Sequence, residues 1–123
     1  MMEVNIPEVL AEMRTVFAAY EDALNGNDVD ALINFFWQSP HAVRYGANEN
    51  LYGWDQIVNF RKNRTPPPAR VLFNTVITTF GHDYANASTE FKRHDGVGRQ
   101  SQSWIRCTDG WKIAAAHISF SPT

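Results

Sequence analysis

The sequence predicts an α+β fold, a cone in which about three N-terminal helices pack on a curved, mostly antiparallel sheet. Apolar residues recur at helical spacing near the N-terminus, and β-branched and aromatic residues dominate from residue 69 onward. Turn residues interrupt that second half roughly every ten residues, as in a meander of strands. Helices followed by consecutive strands favour a helix layer on an antiparallel sheet. We expect residues 1–123 to form a single domain.

The helices are predicted from apolar stripes and from the residues that end them. A first helix runs from Pro7 to Gly26, because one stripe continues at spacings of three and four. That stripe contains Ile6, Leu10, Met13, Phe17, Tyr20 and Leu24. A second helix follows its cap Asp28 and stops before Pro40, and a third ends at the prolines of residues 66–68.

The strands are predicted from turn residues between runs of high β propensity. Residues 42–45 and 51–52 flank a turn-rich stretch and predict a short hairpin. Later turns, one of them assigned to residues 94–98, divide the rest of the chain into four long strands. These strands are predicted at 70–80, 84–93, 99–107 and 111–120. A sheet of this length can wrap around the helices and leave a pocket.

Composition excludes several functional classes. A net charge of −2 argues against nucleic acid or a membrane as partner. The single Cys107 cannot form an internal disulfide, and no Cys/His cluster has metal-ligand spacing, so we expect a cytoplasmic protein without a metal. The sequence contains no G-x-S-x-G, no phosphate-binding glycine loop and no H-E-x-x-H, so serine-hydrolase, nucleotide-dependent and zinc-dependent mechanisms lack support, and we expect no cofactor.

The charge is unevenly distributed along the chain. Residues 1–40 hold one basic and seven acidic side chains, whereas residues 41–70 hold five basic and two acidic ones. The middle segment is therefore cationic. It is either a solvated face or a site for an anion.

Two polar residues occupy positions where the pattern demands apolar ones. Tyr20 lies in the buried stripe of the first helix, so its hydroxyl either bonds a backbone carbonyl in the core or faces a cavity. Arg44 lies between two apolar residues of a short strand. Its guanidinium needs a carboxylate, from a ligand or from Glu49, Asp55 or Glu90 at the rim.

The last two predicted strands also carry polar residues on both faces. One face of the predicted strand 99–107 carries Gln100, Gln102 and Trp104. This pattern predicts a polar-lined cavity, a dimer interface or an exposed strand face. His117 is placed on one face with Trp111, either as a bonded core histidine or as a site residue. The carboxyl of Glu90 is predicted as an acid or base, or as the counter-ion of an arginine.

The order of elements and several short sequence stretches resemble those of known families. The element order and the stretch DGWKIAAAHIS at 109–119 resemble the nuclear transport factor 2-like superfamily, which includes ketosteroid isomerase and SnoaL-type cyclases. A narrower resemblance to the AtzH-like group, with its oxalurate-catabolism relatives of HpxZ type, covers nearly the whole chain. It rests on FWQSP (36–40), VRYG (43–46), ENLYG (49–53), FR (60–61) and GRQSQSW (98–104).

The resemblance implies an activity and two required residues. Genes of that group accompany amidases acting on ureides, oxalurate or cyanuric-acid breakdown products, which suggests an amidase as a partner. The implied reaction is cofactor-free decarboxylation of a small N-carboxylated urea such as 1,3-dicarboxyurea. The tyrosine of the first helix and the arginine of the VRYG strand, here Tyr20 and Arg44, are required.

These observations combine into a site hypothesis. Tyr20 would donate a proton to the substrate nitrogen, and Arg44 would bind a carboxylate. Arg61 and Arg64 would help to bind the carboxylate, and Gln100 and Gln102 would hydrogen-bond the urea group. The other residues expected at the site are Trp37, Tyr45 and Trp104 as dry walls, and Glu90 and His117 as polar neighbours.

Two alternatives to an enzyme remain at this stage. The same pocket would serve a non-catalytic module that binds a carboxylate or docks on an amidase. The polar strand face would also serve a dimeric scaffold. We expect a homodimer, because an open sheet usually covers its exposed face.

Overall fold

Three helices lie against one face of a six-stranded sheet. The computed structural model describes residues 2–123. The helices are α1 (Pro7–Asn25), α2 (Val29–Phe35) and α3 (Trp54–Asn63). The strands are β1 (Val43–Tyr45), β2 (Asn50–Tyr52), β3 (Val71–Phe80), β4 (Tyr84–Arg93), β5 (Gly96–Cys107) and β6 (Gly110–Pro122). The predicted fold class and order of elements are confirmed.

The sheet order explains how two distant parts of the sequence meet. The strands lie in the order β2-β1-β6-β5-β4-β3, and all neighbours are antiparallel except β1 and β6. The parallel pairing sets Arg44 opposite Ala116, which is buried on the helix-covered face of the sheet. Arg44 therefore points toward the helices rather than toward the outer face of the sheet.

The inner stripe of α1 differs slightly from the predicted one. Val9, Met13, Phe17 and Tyr20 are buried, whereas Leu10 is only partly buried. The helix is rotated by about one position at its start, where Val9 replaces Leu10 on the buried face. The cap of α2 is as predicted, because the Asp28 carboxylate accepts a hydrogen bond from the backbone of the first turn.

Strand β5 starts earlier than predicted. The turn assigned to residues 94–98 is wrong: only His94 and Asp95 form the turn, and Gly96 and Gly98 belong to the strand. Gly98 pairs with Phe91, and a side chain at Gly98 would collide with the Phe91 ring. The glycine thus leaves space for the ring, where the sequence suggested a turn.

A bulge in β6 changes which residues face inward. The pairing of β5 with β6 shifts between Ser103 and Trp104, and Ala114 is left out of the register. Beyond this bulge Ala116 faces the core and His117 is exposed. The prediction that His117 shares a face with Trp111 is therefore wrong, because one extra residue reverses the alternation.

Three aromatic rings fix the part of α1 that reaches the site. Tyr20, Phe35 and Trp104 pack edge to face, with centroids 5.6 to 6.0 Å apart. This geometry suits the quadrupoles of the rings. The cluster joins both helices to β5 and holds the Tyr20 ring in one orientation.

The Gly98 observation yields a prediction for stability. Gly98→Ala should lower the free energy of unfolding by about 1–3 kcal/mol in urea denaturation, because the methyl group displaces the buried Phe91 ring. Ser101→Ala, on the exposed face of the same strand, is the control and should change stability little. Equal stability of the two variants would contradict the packing argument.

Candidate functional site

One cavity lies between α1, α3, β1 and the inner face of strands β4 to β6. Its volume is about 60 Å³. Since one water needs roughly 10–15 Å³ by this measure, the cavity suits a few waters or a compact organic anion. The lining residues are Tyr20, Leu24, Asn25, Arg44, Arg61, Arg64, Pro67, Pro68, Arg70, Phe91, Arg93, Gln100 and Ile118.

The Tyr20 hydroxyl is bonded to an arginine, not to the backbone. Its ring is 2% exposed, and its oxygen accepts a hydrogen bond from Nη2 of Arg61 at 3.1 Å. Arg61 is itself 4% exposed. Because Tyr20 accepts through its oxygen, its hydrogen can still be donated. A phenol and a guanidinium thus meet at the wall of one cavity.

Arg44 lies at the cavity with a counter-ion. Its Nη1 donates to Oε1 of Glu49 at 2.7 Å, so Glu49 is the one of the three candidate carboxylates that pairs with it. The guanidinium is 5% exposed, however, and therefore buried rather than at the rim. Its Nε atom has no partner among residues 2–123. Gly46 leaves room for this pair, because a side chain there would overlap the Glu49 carboxyl.

Phe60 packs against two of the arginines. The guanidinium carbons of Arg44 and Arg64 lie 4.9 and 4.8 Å from its ring centroid. Cation–π contact attracts each of these groups to the ring. Because Arg64 has no carboxylate partner in the described chain, this stacking is its main contact besides a long bond to the Thr65 carbonyl.

The cavity lining carries more positive charge than its neighbours neutralise. Five arginines line it, and no carboxylate does. Three of the five have ion-pair partners: Arg44 with Glu49, Arg70 with Glu21 and Arg93 with Asp95. Within residues 2–123, Arg61 and Arg64 have none. Two uncompensated charges next to an enclosed space are typical of an anion site.

The pKa values reflect this crowding. Burial lowers the pKa of Arg64 to about 10, and the neighbouring charges of Arg61 and Arg44 contribute to the decrease. Burial also lowers the pKa of Arg61, an effect that Tyr20 opposes and Arg44 reinforces. An anion in the cavity would relieve both the repulsion and the desolvation of these groups.

The polar face of β5 turns inward, which is one of the predicted alternatives. Gln100 is 3% exposed and lines the cavity, and its Nε2 atom has no partner in the described part of the chain. Gln102 is buried one step deeper, where its Oε1 accepts from Nε1 of Trp104 at 3.0 Å. Gln102 and Trp104 are not lining residues, and they support the wall behind Tyr20.

Comparisons with known proteins agree with this architecture. The sequence model of the AtzH-like family matches residues 2–123. The chain belongs to the AtzH-like family. A crystal structure of a protein of unknown function from the DUF3225 family of Pectobacterium atrosepticum is 50% identical, with a TM-score of 0.92 over 96% of this chain and 94% of that one.

Further solved structures extend the likeness. A cystatin-like fold protein of Burkholderia xenovorans is 44% identical, with a TM-score of 0.95 over 100% of this chain and 99% of its own. A nuclear transport factor 2-like protein of Salmonella enterica is 21% identical, with a TM-score of 0.75 over 94% and 93%, and shows the shared fold. A search of curated proteins finds no match.

Besides Gln102 and Trp104, four other residues expected at the site of this AtzH-like protein lie outside the cavity lining. Tyr45 follows the inward-facing Arg44, so strand alternation turns it to the outer face, where it packs against Tyr52 and His117. Its assignment as a pocket wall is wrong, and so is that of His117 as a polar contact.

Trp37 and Glu90 also lie outside the cavity lining. Trp37 packs beside His41, with ring centroids 6.3 Å apart. Glu90 lies on the outer face of β4 and accepts a hydrogen bond from Asn74 at 2.7 Å. It is therefore neither an acid of the cavity nor the counter-ion of a cavity arginine.

Eight of the thirteen residues that line the AtzH-like cavity were not predicted as site residues, and three of these are large aromatic or charged side chains. Phe91 and Arg93 share the inner face of β4, and Arg70 precedes β3 after the prolines. One signal was available for β4, because Ala85 and Ala87 mark the same inward alternation. Arg70 has no comparable signal, since only the tertiary fold brings it to α1.

No helix in residues 2–123 of the AtzH-like chain is both long and apolar enough to cross a membrane.

The space at Gly46 gives a test of the Arg44 pair. Gly46→Ala should push the Glu49 carboxyl away and leave Arg44 buried without a counter-ion. We expect a lower melting temperature without ligand and a larger stabilisation on adding oxalate, measured by calorimetry. Glu49→Ala removes the same carboxylate and should behave alike. Two variants with opposite responses to oxalate would contradict this account.

Arg64 gives a second test, because its charge is unfavourable in the empty cavity. A lowered pKa means that folding destabilises the charged form of the Arg64 side chain relative to its neutral form. Arg64→Met should therefore be no less stable than wild type at pH 7, yet bind oxalate about tenfold more weakly in titration calorimetry. Arg99→Met, on the outer face, is the matched control. Unchanged oxalate affinity in Arg64→Met would count against an anion site.

Proposed function

We propose that the cavity binds a small carboxylate and that the protein catalyses cofactor-free decarboxylation of an N-carboxylated urea. One observation carries the proposal: the buried Tyr20 hydroxyl and Arg61 guanidinium are hydrogen-bonded at 3.1 Å at the wall of a cavity with two uncompensated positive charges. The AtzH-like membership supports the same reaction, since the resemblance described above implies it.

Carboxylate binding follows from the free donors of the lining. Nε of Arg44, Nε of Arg61 and Nε2 of Gln100 are buried without partners in the described chain. An unpaired buried donor costs roughly 1–3 kcal/mol, which an acceptor on the ligand would recover. Carboxylate oxygens are strong acceptors for guanidinium groups and carry the charge that the cavity lacks.

The reaction needs a proton at one atom. In an N-carboxylated urea, the C–N bond to the carboxylate breaks, its electron pair stays on nitrogen, and CO₂ leaves. The nitrogen must gain a proton, which Tyr20 would donate from its hydroxyl. Arg61 would stabilise the negative charge left on the Tyr20 oxygen until solvent restores the proton. No redox step is involved.

Charge changes during the reaction determine which part of the substrate the arginines should hold. The leaving carboxylate loses its charge as CO₂ forms, so a tight ion pair to it would stabilise the substrate more than the transition state. The paired Arg44 and the free Arg64 should therefore anchor the part that remains. The leaving group is better placed near the apolar lining side chains Leu24, Phe91 and Ile118.

The cavity also limits the size of the substrate. A volume of about 60 Å³ suits a molecule of few non-hydrogen atoms. Longer ureides would require movement of a lining residue. Arg64, half-buried and without an ion pair, is the one held least firmly.

Tyr20→Phe tests the proton-donor role. This variant should keep the fold and bind oxalate with little change, but lose CO₂ release from 1,3-dicarboxyurea by a factor of about 100 or more. Tyr45→Phe, which alters a tyrosine of the outer face, is the control and should release CO₂ at the wild-type rate. Release should be followed directly, with the spontaneous rate subtracted.

Each outcome of this experiment has a definite meaning. Full activity of Tyr20→Phe would refute the assignment of the proton donor. Oxalate binding by the wild type without any CO₂ release would instead identify a carboxylate-binding module. Absence of both binding and release would refute the anion cavity itself.

A further inference from the structure

A chain of three side chains links α1 to the inner face of β5. Arg70 donates to both carboxylate oxygens of Glu21, from Nε and Nη2, at 2.8 Å each. The same Nη2 donates to Oε1 of Gln100 at 3.1 Å. The Gln100 side chain is thus bonded through its oxygen to a cation that is itself held by a carboxylate.

The position of Arg70 is fixed from several sides. Its backbone nitrogen donates to Oδ1 of Asn25, the last residue of α1, at 3.2 Å. Its guanidinium carbon lies 4.5 Å from the centroid of the Phe91 ring. The Arg70 and Glu21 side chains are 6% and 12% exposed, so water competes little for the pair. Its low exposure distinguishes this pair from an ion pair at the surface, which water and salt would weaken.

The fixed arginine determines how Gln100 presents its amide. If the amide turned over, its NH₂ group would face the donors of Arg70, and the hydrogen bond would become a repulsion. Gln100 must therefore keep its oxygen on Arg70 and its Nε2 donor unpaired. Without Arg70 the amide could present either its oxygen or its nitrogen to a ligand.

We propose that Gln100, oriented by Arg70 and Glu21, is a specificity-determining residue that makes the cavity select a carboxylate over a carboxamide of the same shape. This inference rests on the proposed binding of a small carboxylate. A carboxylate offers acceptors on both oxygens. The NH₂ of a carboxamide would meet donors from Arg44, Arg61 or Gln100 and leave them unpaired.

Oxalate and oxamate are suitable probes. They have the same size, but oxamate carries a carboxamide where oxalate has its second carboxylate. Charge alone gives oxalate some advantage, so the useful quantity is the change in the ratio of the two affinities between variants.

The test removes the orienting pair without changing the net charge. In Glu21→Gln/Arg70→Met, Gln100 is free to turn its oxygen toward the ligand. We expect oxalate to bind about threefold more weakly and oxamate about threefold more tightly in titration calorimetry, so that their affinity ratio falls about tenfold. Loss of packing or of positive charge alone would weaken both anions, so tighter binding of oxamate is the result that only a reoriented Gln100 explains.

A matched control exists on the other side of α1. Glu12 and Arg106 form a second ion pair between α1 and the sheet, away from the cavity lining. Glu12→Gln/Arg106→Met repeats the same substitutions there and should leave the affinity ratio at its wild-type value. A fall in the ratio in this control would assign the effect to loosening of α1 and overturn the inference.

A third variant keeps the inference testable if the double variant does not fold. Gln100→Met in the otherwise intact chain removes the donor and should weaken oxalate about tenfold. Unchanged oxalate affinity in this variant, or an unchanged ratio in the folded double variant, would overturn the role of Gln100 while leaving carboxylate binding intact. Absence of oxalate binding to the wild type would refute the proposed function together with this inference.

Discussion

The excess of guanidinium charge inside the cone is the constraint on which the site depends. Five arginines surround a space of about 60 Å³, and only three of them have carboxylate partners. Buried charges of one sign repel each other and lose hydration, so the fold must compensate for them locally. It does so with ion pairs, with the aromatic faces of Phe60, Phe91 and Phe120, and with the Tyr20 oxygen. What remains uncompensated is the basis for the proposed binding of an anion.

Helix α1 supplies partners to two of the five arginines. Its last two turns supply Tyr20 to Arg61, Glu21 to Arg70 and Asn25 to the Arg70 backbone. The aromatic cluster of Tyr20, Phe35 and Trp104 holds that end of the helix against β5. The placement of Tyr20 and the orientation of the lining glutamine therefore depend on one short stretch of sequence.

The fold was predictable from sequence because local patterns and caps determine its elements. Tyr20, Arg44, Arg61 and Arg64 reach the cavity as expected, since polar residues in apolar patterns and the cationic middle segment marked them. The errors have specific causes. The bulge at Ala114 moves His117 to the outer face of the sheet. Because Arg44 points inward, the next residue of the strand, Tyr45, points outward and packs against His117. Arg70 reaches the cavity only through long-range packing, for which periodicity gives no signal.

The parallel pairing of β1 with β6 has a consequence for biogenesis. Arg44 lies in β1, and β1 pairs with β6, which is the last strand along the chain. A nascent polypeptide on the ribosome cannot close the cavity until that late segment has emerged, and such non-local pairing is a slow event in folding. A small anion would then stabilise only the finished molecule, and its presence in the cell would favour completed chains over truncated ones.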